Sequence, residues 1–397
     1  MIEINKCEVC EGSQLRPVLN LGLHPLCDDL VAFSDSRVCK EYPIEILFCD
    51  ECLTAHQRYQ VPKRDLFTES YHYRARMTGS VLSGMEELVS STDLKLGGIY
   101  NKLVLDIGCN DGSLLNFFKE KGCRTIGIEP TGAAADSQHL TINSFFDEEA
   151  AHKILELVGS PDIITFTNVF AHIEDLSELI NNLNLIKGPN TVVIIENHYL
   201  GAVLDYDQFD TFYHEHPRTY SFKSFEFIAK SLNLSILDVQ FVSRYGGNIR
   251  VFIGPGESTN ISVNESKFSD KFSALEKSMK AWITEERSRI IELVAKYGKL
   301  RAKAFPGRAA IMIKLLGLDE SHISAVYEIK GSIKVGHYVP GTRIRILPEA
   351  ELYLEADQAA PILNLAWHIP AEVRANLVKN GYQGEVFDIH EFITEPK

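Results

Sequence analysis

Apolar and polar positions follow different rules in different stretches of the chain. From Gly79, the residues Val81, Leu82, Met85 and Leu88 recur every three to four positions, which predicts an amphipathic helix. Leu103 to Ile107 is a short, nearly continuous apolar run. It is followed by Gly108-Cys109-Asn110-Asp111-Gly112 and then by an apolar helical start from Ser113. That pattern predicts a buried strand, a glycine loop and a helix. Strand-sized runs return at Thr125–Ile128, Ile163–Phe166 and Thr191–Glu196, with helical stretches between them. Strands alternating with helices predict an α/β fold with a doubly wound, Rossmann-like sheet.

Further along, Phe272, Leu275, Met279, Trp282 and Ile283 share one face of a single long helix expected over Phe268–Leu300, with Met279 and Trp282 in the core. Beyond it, Ala302–Phe305, Ser324–Tyr327 and Arg343–Ile346 predict the strands of a second Rossmann-like unit. The first ~70 residues differ from the rest, being turn-rich and without helical periodicity, so they bury too little apolar surface to fold unaided. Domain boundaries are expected at 1–75, 76–240 and 241–397.

Composition narrows the class. Of 397 residues, 45% are apolar and 24% charged, enough for sizeable cores. Forty basic against 54 acidic residues give 40 − 54 = −14. An acidic surface repels a phosphate backbone, so nucleic acid is not an expected partner. No apolar run approaches the ~18 residues of a membrane span, and the N-terminus lacks a signal-peptide pattern. The expectation is a soluble, cytoplasmic protein without a membrane partner.

Cysteine spacing explains how the first segment folds. Cys7/Cys10 and Cys49/Cys52 are two C-x-x-C pairs, and 38 residues separate Cys10 from Cys49. In a reducing compartment such pairs indicate metal ligation rather than disulfides. Two knuckles supply four thiolates to a tetrahedral zinc ion, and a closed four-thiolate site is structural. The long gap requires an insertion that loops away. Cys27, Cys39, Cys109 and Cys123 show no ligating spacing.

The glycine loop has the wrong spacing for a dinucleotide. G-x-G-x-x-G cradles a pyrophosphate, whereas here Gly108 and Gly112 follow an acidic strand end, Asp106. Close backbone approach to a cationic ligand suits S-adenosylmethionine (SAM), and Glu129 at the next strand end is positioned to accept its ribose hydroxyls. A second constellation is Tyr213-His214-Glu215-His216. Four polar groups in a row are costly to bury unless they line a cleft, and histidine takes a proton near neutral pH. His214 and His216 also have the spacing of two metal ligands on one strand face.

Together with Asn168-Val-Phe-Ala-His172, Gly246-Gly-Asn-Ile-Arg250 and Gly336-His-Tyr-Val-Pro-Gly-Thr342, these motifs give a resemblance over nearly the whole chain. The chain resembles bacterial nucleotide-sugar C-methyltransferases, which methylate C3 of a 4-keto-6-deoxyhexose in branched-chain sugar biosynthesis. The resemblance implies a zinc-binding N-terminal domain, a SAM-binding middle domain and a nucleotide-sugar-binding C-terminal domain, in a monomer. It implies that His216 is the base that removes the C3 proton, with Tyr213, Glu215 and His172 around the reacting sugar. It puts Tyr71, Tyr73, Asp106, Gly108, Asn110, Gly112, Glu129 and Asn168 around SAM. For a dTDP- or GDP-linked substrate it offers Asn248, Arg250, Arg308, Lys334 and His337. Lys303–Ala309 and His368 depart from the family pattern, so the nucleotide and sugar need not be the commonest ones. Two other readings remain: an O- or N-methyltransferase on another acceptor, and a zinc-ribbon protein that recruits nucleic acid or protein.

Overall fold

The computed structural model describes residues 1–67, 74–258, 261–354 and 359–391. Two compact units emerge, neither continuous in sequence. Unit 1 combines Met1–Arg16, Leu47–Ala202 and Glu215–Phe268, and unit 2 combines Pro17–Ile46, Val203–His214 and Ser269–Lys397. Among the described residues no helix is long and apolar enough to cross a membrane.

The N-terminal segment is rich in β-structure, as its lack of helical periodicity implied. β1 (Leu15–Pro25) and β2 (Glu41–Cys49) are neighbours in one sheet and carry the insertion out from the cysteine pairs, and β3 (Ala55–Gln57) follows.

Unit 1 is built on a seven-stranded sheet. Helix α1 (Gly79–Lys95) buries Val81, Met85 and Leu88 and leads into β4 (Leu103–Ile107), then α2 (Ser113–Glu120), β5 (Arg124–Ile128) and β6 (Leu140–Ile142). After α3 (Glu148–Val158), β7 (Ile163–Thr167), α4 (Leu176–Ile186) and β8 (Val192–His198), the chain forms β9 (Arg218–Thr219) and α5 (Phe222–Ser231). It closes with β10 (Ser235–Val242) and β11 (Asn248–Gly254). The sheet order is β10-β11-β8-β7-β4-β5-β6. The last five of these strands are parallel, and β11 runs antiparallel to both β8 and β10.

All five residues of β4 are buried. Leu103, Leu105 and Ile107 face a core shared with α3, α4 and α5, whereas Val104 faces a second core shared with α1 and α2. Apolar side chains on both faces are what a parallel sheet covered on both sides requires, and why its strands read as unbroken apolar runs. The order reverses between β4 and β7, and in doubly wound sheets the carboxyl ends of the strands at such a reversal are where ligands bind. Residues 241–268, expected with the C-terminal domain, fall in unit 1, because Asn248–Gly254 pairs with β8 in register from His198↔Asn248 to Val193↔Ile253.

Unit 2 repeats the parallel plan. Helix α6 (Phe268–Tyr297) precedes β12 (Leu300–Lys303), β13 (Ile323–Glu328), β14 (His337–Tyr338), β15 (Arg345–Pro348), β16 (Ile362–Asn364) and β17 (Val386–Asp388). Their order is β17-β16-β12-β13-β15-β14, and Val31–Ala32 from the N-terminal insertion adds an edge strand to β14. The long helix ends three residues before its expected limit: Gly298 takes φ +79°, a left-handed stop, and Leu300 opens β12. Met279 is buried as expected. Trp282 is half-buried and donates its indole N–H to the Ile389 carbonyl at 3.1 Å.

Candidate active site

The four predicted ligand thiols meet at one point in unit 1. The sulfurs of Cys7, Cys10, Cys49 and Cys52 all lie within 4.8 Å of one another. Each pair sits on a tight turn closed by backbone bonds, Glu11 N–H to the Cys7 carbonyl and Leu53 N–H to the Cys49 carbonyl, both 2.9 Å. Crowded thiols cannot all ionise together. Contacts from Cys52 and Cys7 hold the Cys49 thiol far down, while the same contacts push Cys52 far up and Cys7 up to about 12. A divalent cation is what lets all four lose their protons, so the donor set fits zinc. His56 lies behind it, fully buried, with Nε2 3.3 Å from Cys7 Sγ. Cys27, Cys39, Cys109 and Cys123 are buried outside this cluster.

The glycine loop lies at the carboxyl end of β4. Gly108 takes φ +74°, and a Cβ there would come within 2.6 Å of Val169 Cγ2, so only glycine lets the Asn168–Val169 segment pack this closely. Gly112 opens α2. Asp106 is buried and accepts the Thr165 hydroxyl at 2.7 Å. Burial, reinforced by the Glu129 charge, outweighs that hydrogen bond and pushes its carboxyl up to about 7. Glu129 Oε2 accepts the Asn110 N–H at 3.0 Å, and Oε1 accepts both the N–H and the hydroxyl of Thr131, at 2.9 and 2.6 Å. A carboxylate has about four acceptor positions, so accepting two ribose hydroxyls requires the Thr131 hydroxyl to turn away. Asn168 accepts from the Asn248 amide at 3.0 Å. Tyr71 and Tyr73 lie outside the described residues.

Beyond the same sheet edge, unit 1 gathers three imidazoles. His172 ends the turn Phe170–His172 after β7, His198 ends β8, and His216 follows the turn of Glu215. The His172 and His216 ring centroids are 4.9 Å apart, and those of His198 and His216 5.4 Å. His172 Nδ1 lies 2.7 Å from the Glu215 carbonyl. A carbonyl only accepts, so Nδ1 carries the proton and Nε2 a lone pair. Burial lowers the His172 pKa against the pull of that carbonyl, keeping the ring neutral near pH 7. The sequence reading missed His198. Its signal was position, since it ends a central strand where doubly wound sheets keep their ligands.

The strand-face pairing of His214 with His216 does not form. Both lie in a turn-rich stretch, and His214 Nε2 contacts the Tyr42 carbonyl at 3.2 Å, with burial pushing its pKa down to about 4. Tyr213 and His214 belong to unit 2, whereas Glu215 and His216 belong to unit 1.

The residues expected around the diphosphate are largely engaged already. Arg250 is fully buried in unit 1, with Nε 2.7 Å from Glu196 Oε2, and Asn248 donates to Glu196 at 3.3 Å. Arg308, in unit 2, forks onto Asp210 at 2.7 and 2.5 Å, and the Trp367 indole donates to the same carboxylate at 2.9 Å. Each guanidinium is therefore matched by a buried carboxylate. Lys334 and His337 are half-buried, and Lys334 Nζ donates to the Phe305 carbonyl at 2.8 Å.

Three sequence families match consecutive blocks of the chain: a zinc binding domain over residues 7–67, a methyltransferase domain over 83–239, and a C-methyltransferase C-terminal domain over 245–388. The chain is 27% identical to the C-methyltransferase NovU of Streptomyces niveus, across 94% of this chain and 92% of that protein. Among solved structures, the magnesium protoporphyrin IX methyltransferase ChlM of Synechocystis PCC 6803 with bound SAM is similar over 49% of this chain and 89% of that one, at 15% identity and a TM-score of 0.35. The PH0226 protein of Pyrococcus horikoshii OT3 is similar over 46% of this chain and 95% of that one, at 16% identity and a TM-score of 0.35.

Proposed function

We propose that the chain, which matches models of a zinc binding domain, a methyltransferase domain and a C-methyltransferase C-terminal domain in that order, is a SAM-dependent C-methyltransferase whose acceptor carbon is C3 of a nucleotide-linked 4-keto-6-deoxyhexose. The observation that carries this reading is the His172–His198–His216 cluster, in which His216 is buried and the other two are half-buried. It stands at the same strand ends as the glycine loop, with Val169 packed between the loop and the segment that carries His172.

A carbon nucleophile needs a base to create it. His216 takes the C3 proton, made acidic by the neighbouring C4 carbonyl, and the electron pair moves onto the carbonyl oxygen as an enolate. His172, held neutral with Nδ1–H on a backbone carbonyl, keeps an unprotonated Nε2 on a ring 4.9 Å from that of His216. Tyr213, Glu215 and His172 lie around the reacting sugar and orient His216 or stabilise the enolate oxygen. SAM, when bound, supplies the methyl group that the enolate carbon takes. Asp106, Gly108, Asn110, Gly112, Glu129 and Asn168 hold it, and the resemblance adds Tyr71 and Tyr73 to this set. The zinc ion stays structural. Asn248, Arg250, Arg308, Lys334 and His337 are the candidates for the nucleotide sugar, on a dTDP or GDP carrier.

Mass spectrometry with SAM and a panel of dTDP- and GDP-linked 4-keto-6-deoxyhexoses tests the acceptor. The expected result is a gain of one methyl on at least one sugar, located at C3 by fragmentation. No gain on any member, or a methyl on oxygen, would reject it.

Asp106 adds a pH signature to SAM binding. Its carboxyl titrates at about 7 in the free protein, and a bound cation favours its ionised form, so binding expels a proton at lower pH. Affinity should therefore rise with pH from 6 towards 7.5, by up to about tenfold per unit while the carboxyl is still protonated. Calorimetry should find that slope in the wild type and a flat profile in Asp106→Asn. A flat wild-type profile would remove Asp106 from the SAM site.

A further inference from the structure

Reading His216 as the base, we propose that the zinc knuckle is the anchor that positions it, through Glu8 and Arg218. Arg218 lies two residues after His216 and is fully buried. Its Nη1 makes a 2.7 Å ion pair with Glu8, which sits between the ligands Cys7 and Cys10. Glu8 is held in turn by Gln60, at 2.7 Å, and lies 3.5 Å from His56, the ring that contacts Cys7. The same guanidinium donates through Nη1 and Nη2 to the Glu174 carbonyl and through Nη2 to the Ile173 carbonyl, the two residues after His172. One side chain therefore joins the metal knuckle to the segments that carry both His172 and His216.

The rest of the same segment is tied to the second knuckle. The Gln57 N–H donates to the Pro217 carbonyl at 2.8 Å, and β9 pairs with β3 through Arg218↔His56. The hydroxyls of Ser221 and Ser224 both donate to the Cys52 carbonyl, at 3.1 and 3.2 Å. These tethers bracket residues 217–224 against both cysteine turns, and His216 is the first residue upstream of them. A group fixed this way is held by the geometry of the metal turns, although the metal touches no substrate. Arg218 is thus a positioning residue, and zinc occupancy sets the placement of the base.

Glu8→Gln and Arg218→Lys test this. The first substitution keeps an oxygen that accepts one hydrogen bond but removes the charge. The second keeps the charge, but an ammonium cannot span Glu8 and both carbonyls. The histidine 13Cε1–1H NMR signals of His216 and His172, assigned with single His→Asn variants, report placement without any substrate. Both signals are expected to shift in both variants, with zinc content and SAM affinity unchanged. Misplacement of a reacting group typically costs about 10- to 100-fold, so kcat should fall by that much and KM far less. Unmoved signals in the zinc-loaded Glu8→Gln protein would overturn the proposal. If Arg218→Lys fails to fold, the Glu8→Gln result decides alone. Shifted signals without turnover on any sugar would leave the anchor standing and reject the acceptor instead.

Discussion

His216→Ala is expected to lower turnover by about 10²- to 10⁴-fold, the usual loss when a general base is removed, with SAM affinity unchanged. The two effects separate because the groups are separate. His216 faces His172 and His198, whereas the hydrogen bonds of the SAM loop run among Asp106, Asn110, Glu129, Thr131 and Thr165. Truncating a ring that is 4% exposed leaves a small cavity, so some stability is lost as well. His216→Asn, which fills most of that space, distinguishes the two costs. It should recover stability without recovering rate. Steady-state kinetics beside SAM titration checks this, and near-normal turnover in either variant would remove His216 from the base role.

The second large effect is loss of the metal. Cys49→Ser removes the thiol on which the other cysteines converge and leaves three ligands, too few for a closed site. Structural zinc contributes about 10–16 kcal/mol in peptides that fold around it, far more than a β-rich segment of this size supplies by burial. The first unfolding transition should fall by about 10 °C or more, and proteolysis should begin within residues 1–60. SAM affinity should survive, because Asp106 and Glu129 are held at the glycine loop by Thr165, Asn110 and Thr131. Differential scanning fluorimetry with and without SAM checks both halves. An unchanged melting profile in a protein that has lost its zinc would mean that the site is not structural.

Legibility in the sequence tracked how local the cause was. Leu103–Ile107 and the glycine loop could be read because an unbroken apolar run, an acid and two glycines are neighbours in the chain. The cysteine cluster could be read across 38 residues because metal ligation imposes its own spacing. What could not be read depends on partners brought together only by the fold. Arg250 meets Glu196 because β11 pairs antiparallel with β8, and Arg308 meets Asp210 across 98 positions of sequence. Neither ion pair has a local signature in the chain. His198 joins its cluster because β7 and β8 are adjacent and end together. The insertion between the cysteine pairs was expected to loop away, but its pairing with β14 through Val31–Ala32 had no local signature.

The central claim is that an enolate forms at C3 before methyl transfer. Incubating the enzyme with a 4-keto-6-deoxyhexose nucleotide in deuterated water, with SAM replaced by S-adenosylhomocysteine, tests it most directly by proton NMR. Loss of the C3 proton signal in the wild type, and its persistence in His216→Ala, is the predicted result. A C3 proton signal that persists in the wild type would contradict it.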